Sequence, residues 1–225
     1  MANILGKPMF WHVYNNASQC ASLCQVVVAT DDKRIFQAAK NLDVPVVMTR
    51  NDHPSGTDRV MEAAELLKLP DYSVVVNIQG DEPAIKPEML TELVNPFIDP
   101  EVQVTTLAGK IAFKQAVSAD QVKVVFSQSN NALYFSRSLI PHVVDMDTYT
   151  YYGHIGLYAF RMKSLRKFVS LPQSRLEITE RLEQLRLIEN HIPVHVVVTD
   201  HKSVGVDRPE DLKKVIEIFS QKNCK

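Results

Sequence analysis

Apolar and polar positions along this chain repeat with two periods, and the changes between them lay out its elements. Met9, Val13 and Ala17 recur four apart and predict a helix to about Gln19, with Pro8 in its first turn, where a missing amide hydrogen costs nothing. The residues before it, Met1 to Lys7, carry no readable pattern. Gln25 to Thr30 reads as a buried strand, Asp31-Asp32 as a helix cap, and Ile35, Phe36, Ala39 and Leu42 as the core face of the helix that follows. Val44 to Thr49 is the next strand. A polar loop, Arg50 to Thr57, opens a helix carrying Val60, Ala63 and Leu67. Val74, Val75, Val76 and Ile78 then form a short β-branched run predicted to be a strand buried on both faces. This alternation argues for a parallel sheet with crossover helices.

The second half is more mixed. Pro87 to Val94 is predicted helical and Val102 to Ala108 a strand. Val122 to Phe126 and Ala132 to Ser136 flank Asn130-Asn131 as an antiparallel hairpin. Ser138 to Tyr152 is irregular and aromatic, and fits a dimer contact or a lid. His154 to Arg161 alternates as a half-buried strand. Ile178, Leu182, Leu185 and Ile188 predict one helix from about Leu176 to Asn190. Pro193 to Thr199 is a last strand, and a C-terminal helix buries Leu212, Val215 and Ile218.

The run after Val76 carries the first chemical signal. Gln79-Gly80-Asp81-Glu82-Pro83 sets two carboxylates just past a strand's carboxyl end, the edge where open α/β sheets bind ligands. Hard oxygen ligands there suit a Mg²⁺ that also touches a phosphate; the plainer reading is a solvated acidic turn.

Composition narrows the class. A length of 225 residues fits one large domain, and a net charge of −1 argues against general affinity for nucleic acid or for anionic membrane. Cys20 and Cys24 lie four apart with no second soft pair, which disfavours zinc; with Cys224 they make an odd number, which fits a reduced cytoplasmic setting. No apolar run is long enough to span a bilayer, and the chain shows no secretory signal, linker or internal repeat.

Six stretches taken in order resemble one family: Ser55-Gly-Thr-Asp-Arg59, Val74 to Pro83, Ala132 to Arg137, His154-Ile-Gly-Leu-Tyr158, Leu182-Glu-Gln-Leu-Arg186 and Gly205-Val-Asp-Arg-Pro-Glu-Asp211. Each is weak alone; their shared order from about Leu5 to the C-terminus is specific. Together they resemble CMP-KDO synthetase, the 3-deoxy-manno-octulosonate cytidylyltransferases. The resemblance implies an α/β, Rossmann-like three-layer nucleotide-diphospho-sugar transferase fold with a mixed, mostly parallel sheet, formed by residues 1–225 as a single nucleotidyltransferase domain. It implies that the anomeric hydroxyl of KDO attacks the α-phosphate of CTP, giving CMP-KDO and pyrophosphate with Mg²⁺, in a homodimer that serves lipopolysaccharide or a plant cell-wall polymer. Two alternatives stay open: a transferase for another acidic sugar such as a sialic acid, and a non-catalytic nucleotide-sugar-binding homologue.

The same resemblance assigns residues. Asp81 and Asp207 match the metal-binding carboxylates, although Asp207 also reads as a capping box with proline in the first turn. Ser55, Gly56 and Thr57 match the loop beside cytosine and ribose, where Ser55 or Thr57 could equally cap a helix. Gln79 and Gly80 would lie under nucleotide and sugar. Arg137 matches the arginine that pairs the sugar carboxylate with its guanidinium fork, against a plain surface arginine at a strand end. His154, Tyr158, Glu183 and Gln184 match positions that hold sugar hydroxyls; His154 and Tyr158 would also suit a core, and the other two open water. No general base stands out, so metal-assisted ionisation of the hydroxyl is expected.

One departure stands against the family pattern. Its members open with an apolar strand and an Arg-rich, Lys-containing loop that grips the triphosphate, and this chain shows neither. Gly6-Lys7-Pro8-Met9 precedes Phe10-Trp11-His12-Val13-Tyr14, the family's first helix, and so matches a later, similar tripeptide. The expectation is a sheet edge left unpaired, poor CTP binding and marginal folding, with a start codon assigned too late as the preferred explanation and a truncated pseudo-enzyme as the alternative.

Overall fold

A computed structural model describes residues 2–144, 149–202, 204–206 and 208–222. In chain order, β1 (Asn3–Ile4), β2 (Lys7–Pro8), α1 (Met9–Ala17), β3 (Val28–Thr30), α2 (Lys33–Asn41), β4 (Val46–Met48), α3 (Gly56–Leu66), β5 (Val74–Asn77) and α4 (Pro87–Val94) come first. A 3₁₀ turn at Asn95–Ile98 leads to β6 (Val104–Ile111), α5 (Phe113–Ala116), β7 (Lys123–Phe126), β8 (Ala132–Ser136) and β9 (Tyr151–Arg161). Then follow α6 (Met162–Ser170), α7 (Arg175–Glu180), α8 (Leu185–Glu189), β10 (Val194–Thr199) and α9 (Pro209–Lys222). The chain gathers into two compact units, Met1–Leu69 with Asn77–Thr91 and Lys202–Lys225, and Pro70–Val76 with Glu92–His201.

In the first unit, β3 and β4 pair in parallel, Val28 opposite Val46 and Thr30 opposite Met48. The crossover helix α2 between them starts at the predicted cap: the Asp32 carboxylate accepts the Arg34 amide at 2.7 Å. The unpatterned N-terminal residues form a hairpin. Leu5 (φ 48°) and Gly6 (φ 84°) take the left-handed conformations that a two-residue turn requires, and the Gly6 amide donates to Asn3 Oδ1 at 2.8 Å. Ile4 is fully buried and its carbonyl bonds His12 Nε2 at 2.8 Å. Pro8 stands one residue before α1 in extended conformation, at the cap instead of inside the first turn. Along α3 the buried stripe is Thr57, Met61 and Ala64 with Ala63, while Val60 and Leu67 are half-buried. The stripe begins on a threonine, which a hydropathy pattern passes over.

The second unit holds a mixed six-stranded sheet, ordered β10-β6-β9-β7-β8, with β5 also paired to β9. β10 runs parallel to β6 from Val194 opposite Val104 to Thr199 opposite Gly109. Antiparallel pairing is more extensive than the alternating elements suggest, because the eleven-residue β9 runs antiparallel to both β6 and β7. β9 starts at Tyr151, and Leu157 to Phe160 are buried consecutively instead of alternating, with α6 packed on the strand. The hairpin of β7 and β8 turns at Asn130 (φ 61°), and its tip reaches β10, where the Val196 amide donates to the Asn130 carbonyl at 2.7 Å. β5 is less enclosed than predicted: Val75 and Asn77 are buried, Val74 and Val76 only half so.

The single helix predicted over Leu176 to Asn190 is two. Arg181 adopts the left-handed conformation (φ 55°, ψ 49°) and ends α7. Leu182 and Leu185 are buried, but Ile178 is 61 % exposed, so the apolar spacing does not describe one face. Arg186 and Glu177 occupy the interior there as a buried ion pair, in which Arg186 Nε donates to Glu177 Oε2 at 2.8 Å. Glu183 and Gln184 therefore sit in the turn between two short helices.

Candidate active site

The first unit assembles the residues expected beside the nucleotide. Ser55 caps α3: its Oγ accepts the Asp58 amide at 3.3 Å and donates to Asp58 Oδ2 at 2.6 Å. Thr57 is fully buried, and its Oγ1 accepts from Asn77 Nδ2 at 3.2 Å. Asn77 Oδ1 in turn accepts from Gln79 Nε2 at 3.2 Å. One buried asparagine at the end of β5 thus joins the Ser55-Gly56-Thr57 loop to Gln79. The sequence reading passes over Asn77, although a polar residue on the buried side of a valine run is the available signal.

The loop before Ser55 has further anchors that its polarity alone does not reveal. The carboxylate of Glu62 pairs with the His53 ring and accepts the Arg50 amide at 3.0 Å; the His53 hydrogen bond, foremost, holds Glu62 below the usual carboxylate range. Arg59 donates to Thr49 Oγ1 at 2.6 Å and to Asp31 Oδ2 at 3.0 Å.

Beyond Gln79, Gly80 is exposed, with nothing within 4 Å of where a β-carbon would stand. Asp81 and Glu82 are half-buried. The Val206 amide donates to the Asp81 carbonyl at 2.8 Å, and a β-carbon on Gly205 would lie 3.1 Å from Glu82 Oε1. The segment leading to Asp207 is therefore held against Asp81-Glu82; Asp207 itself lies outside the described residues. Among the described residues no group of three or more His, Cys, Asp or Glu side chains could hold a metal ion.

The second unit holds the residues predicted for the sugar. His154 lies on β9 with its ring centroid 5.0 Å from that of Phe135 and 5.5 Å from that of Tyr158. Burial pushes its pKa down to about 3, so the ring is neutral. Thr106 fixes the tautomer. Its hydroxyl proton goes to the Leu157 carbonyl at 2.8 Å, so His154 Nε2, 2.9 Å from the same oxygen, is the donor and Nδ1 is left as an acceptor.

Tyr158 is buried, and its Oη has no hydrogen-bond partner of ordinary geometry among the described residues. Burial and then the Glu183 carboxylate raise its phenol well above the ordinary value. Gln184, in the turn before α8, is 5 % exposed and its Nε2 likewise lacks a partner. Arg137 follows β8. Its Nε donates to the Glu180 carbonyl at 3.0 Å and its Nη1 to the Ala119 carbonyl at 3.2 Å, and no carboxylate among the described residues forms an ion pair with it. Lys123 is fully buried and its ammonium caps the carbonyls of Ser118 (2.9 Å), Gln121 (2.7 Å) and Arg137; desolvation lowers its pKa.

Taken singly, these residues supply one cation, one neutral imidazole acceptor and two buried unmatched polar groups, the kinds of group a polyhydroxy acid would need. The cytidylyltransferase family model matches residues 1–203. The 3-deoxy-manno-octulosonate cytidylyltransferase of Oleidesulfovibrio alaskensis is 58% identical over 98% of this chain and 90% of its own length. The 8-amino-3,8-dideoxy-manno-octulosonate cytidylyltransferase of a Shewanella species is 43% identical over 95% of this chain and 89% of its own. A solved structure of CMP:2-keto-3-deoxy-manno-octonic acid synthetase complexed with CTP is 40% identical and superposes with a TM-score of 0.93, covering 98% of this chain and 91% of that one. The chain belongs to the cytidylyltransferase family.

Proposed function

We propose that this chain transfers cytidylate from CTP to KDO. The anomeric hydroxyl, losing its proton, forms a bond to the α-phosphorus; the bond from that phosphorus to the bridging oxygen breaks, and pyrophosphate leaves with the electron pair. The observation that carries the reading is the buried, unmatched pair Gln184 Nε2 and Tyr158 Oη in the unit that also holds Arg137. Leaving each such group unpaired costs about 1–3 kcal/mol, which the hydroxyls of a sugar offset. The free N–H groups of Arg137 suit the sugar's carboxylate.

Ser55, Gly56, Thr57 and Gln79 are assigned to the nucleotide, where the cap and the Asn77 network preset the loop. A hard divalent ion fits the oxygen donors at the end of β5: Mg²⁺ takes one or two carboxylates and completes its shell with phosphates and water, so Asp81 and Asp207 would hold it without a larger protein cluster. When bound it would neutralise phosphate charge and polarise the phosphorus. The residues themselves orient the partners: His154 accepts a sugar hydroxyl at Nδ1, and Glu183 and Gln184 take others. Cytoplasmic location, a homodimer and a role in lipopolysaccharide assembly belong to the same reading; no helix among the described residues is long and apolar enough to cross a membrane.

The test is pyrophosphate release from CTP and Mg²⁺ with KDO, with 8-amino-3,8-dideoxy-manno-octulosonate and a sialic acid as parallel substrates. Release with KDO above the other two is expected; no release with any of the three sinks the reading.

A further inference from the structure

We propose that Glu180 is a positioning residue that fixes the guanidinium of Arg137. Two parts of Glu180 hold that one residue. Its carboxylate accepts the Arg137 amide at 2.9 Å and the Ser136 hydroxyl at 2.6 Å, while its main-chain carbonyl accepts Arg137 Nε at 3.0 Å. The carbonyl is available because Glu180 ends α7: the left-handed Arg181 breaks the helix, and the last carbonyls of a helix have no partner within it. The Ser136 hydroxyl completes the clamp by accepting the Ser138 amide at 2.9 Å, and Lys123 holds the Arg137 carbonyl from the other side.

The consequence is a directed cation. Of the five N–H groups of a guanidinium, Nε and one on Nη1 end on carbonyls, which are neutral. The remaining donors sit on Nη1 and Nη2, so a carboxylate meets the end of the fork and not its Nε side. Burial alone would raise the Glu180 carboxyl, but the bonds from Ser136, the Arg137 amide and Tyr134 outweigh it and hold it below the usual range. The clamp stays ionised at neutral pH.

The test reads Arg137 directly. Its side-chain Nε–H is assigned in ¹⁵N-arginine-labelled protein by loss of the signal in Arg137→Lys, and its hydrogen exchange is measured without ligand. Exchange that rises roughly tenfold or more in Glu180→Ala is expected: the main-chain carbonyl stays, but the carboxylate that holds the Arg137 amide in place beside it is lost. Unchanged exchange overturns the proposal. If Glu180→Ala does not fold, Glu180→Gln keeps one acceptor oxygen for three donors and should give a smaller rise; no rise there overturns it equally.

A kinetic arm rests on the functional reading above. Glu180→Ala should raise KM for KDO and not for CTP, and Arg137→Ala with Glu180→Ala should be no worse than Arg137→Ala alone. Additive losses overturn the positioning role. Absence of turnover by the unsubstituted protein counts against the function and leaves the exchange result standing.

Discussion

A β-carbon on Gly56 would stand 3.1 Å from both polar atoms of the Gln79 side-chain amide. That separation is too tight for ordinary packing, yet Gln79 is a flexible side chain, hydrogen-bonded to Asn77 Oδ1 at 3.2 Å. Gly56→Ala should therefore displace Gln79 and not unfold the chain. Alanine in the first turn of α3 also restricts the unfolded chain, worth about 0.4–1 kcal/mol in its favour. The expected outcome is a KM for CTP raised roughly tenfold, about one hydrogen bond, with the thermal midpoint almost unmoved. A lowered midpoint with unchanged KM would assign Gly56 to packing alone.

Asn77 should be more costly. It is 2 % exposed and serves Thr57 and Gln79 together. Asn77→Ala leaves the fully buried Thr57 hydroxyl without that donor and opens a small void, so a loss of about 1–3 kcal/mol is expected in urea denaturation. CTP affinity should fall as well, because loop and Gln79 lose their common support. Asn77→Asp replaces the donor to Thr57 by an acceptor and should be no better.

These two residues show what was legible in the sequence. The strand before Gln79, the cap at Ser55, the α4 span and the β7–β8 hairpin all follow from local chemistry: β-branched runs, a hydroxyl before a helix, proline in a first turn, paired asparagines. The sheet's mixed pairing was visible only in part, since β9 is set by long-range contacts on both its edges. The helix break at Arg181 was not legible at all. Arg181 takes the left-handed conformation there, and the nearby Arg186–Glu177 pair joins residues nine apart whose burial no period announces. The candidate site residues were proposed from motifs shared with the family. Their supports, Asn77, Thr106, Lys123 and Glu180, were not, because buried polar partners depend on the fold and not on neighbours in sequence.

His154 gives a pH prediction with a definite sign. Its folded pKa, about 3, lies below the ordinary 6.5. The unfolded chain therefore binds a proton that the folded chain refuses, and the native state loses stability as pH falls from about 6.5 towards 3. The slope from this one group is at most about 1.4 kcal/mol per pH unit. Denaturant titrations of the native protein and of His154→Asn should diverge over that window and run parallel above pH 7. In activity, kcat/KM for the sugar should show no inflection from His154 between pH 5 and 8. Thr106→Val should weaken sugar binding without altering KM for CTP, since it removes the oxygen that receives His154 Nε2.

The Arg186–Glu177 pair should separate stability from binding. Both side chains are almost wholly enclosed, at 4 % and 6 % exposure, and Arg186 also lies over the Phe168 ring at 4.4 Å and donates to the Leu171 carbonyl at 3.3 Å. Removing one partner strands a buried charge, so Arg186→Met or Glu177→Gln alone should cost about 3–5 kcal/mol. Replacing both with apolar residues of similar volume should cost less than either single change, because desolvating two ions offsets most of their attraction. The pair also ties α7 to α8 across the turn that carries Gln184. The double variant should therefore recover its unfolding midpoint while KM for KDO stays raised. If KM recovers with the midpoint, the apolar spacing of Leu182 and Leu185 places Gln184 on its own, and the ion pair contributes only stability.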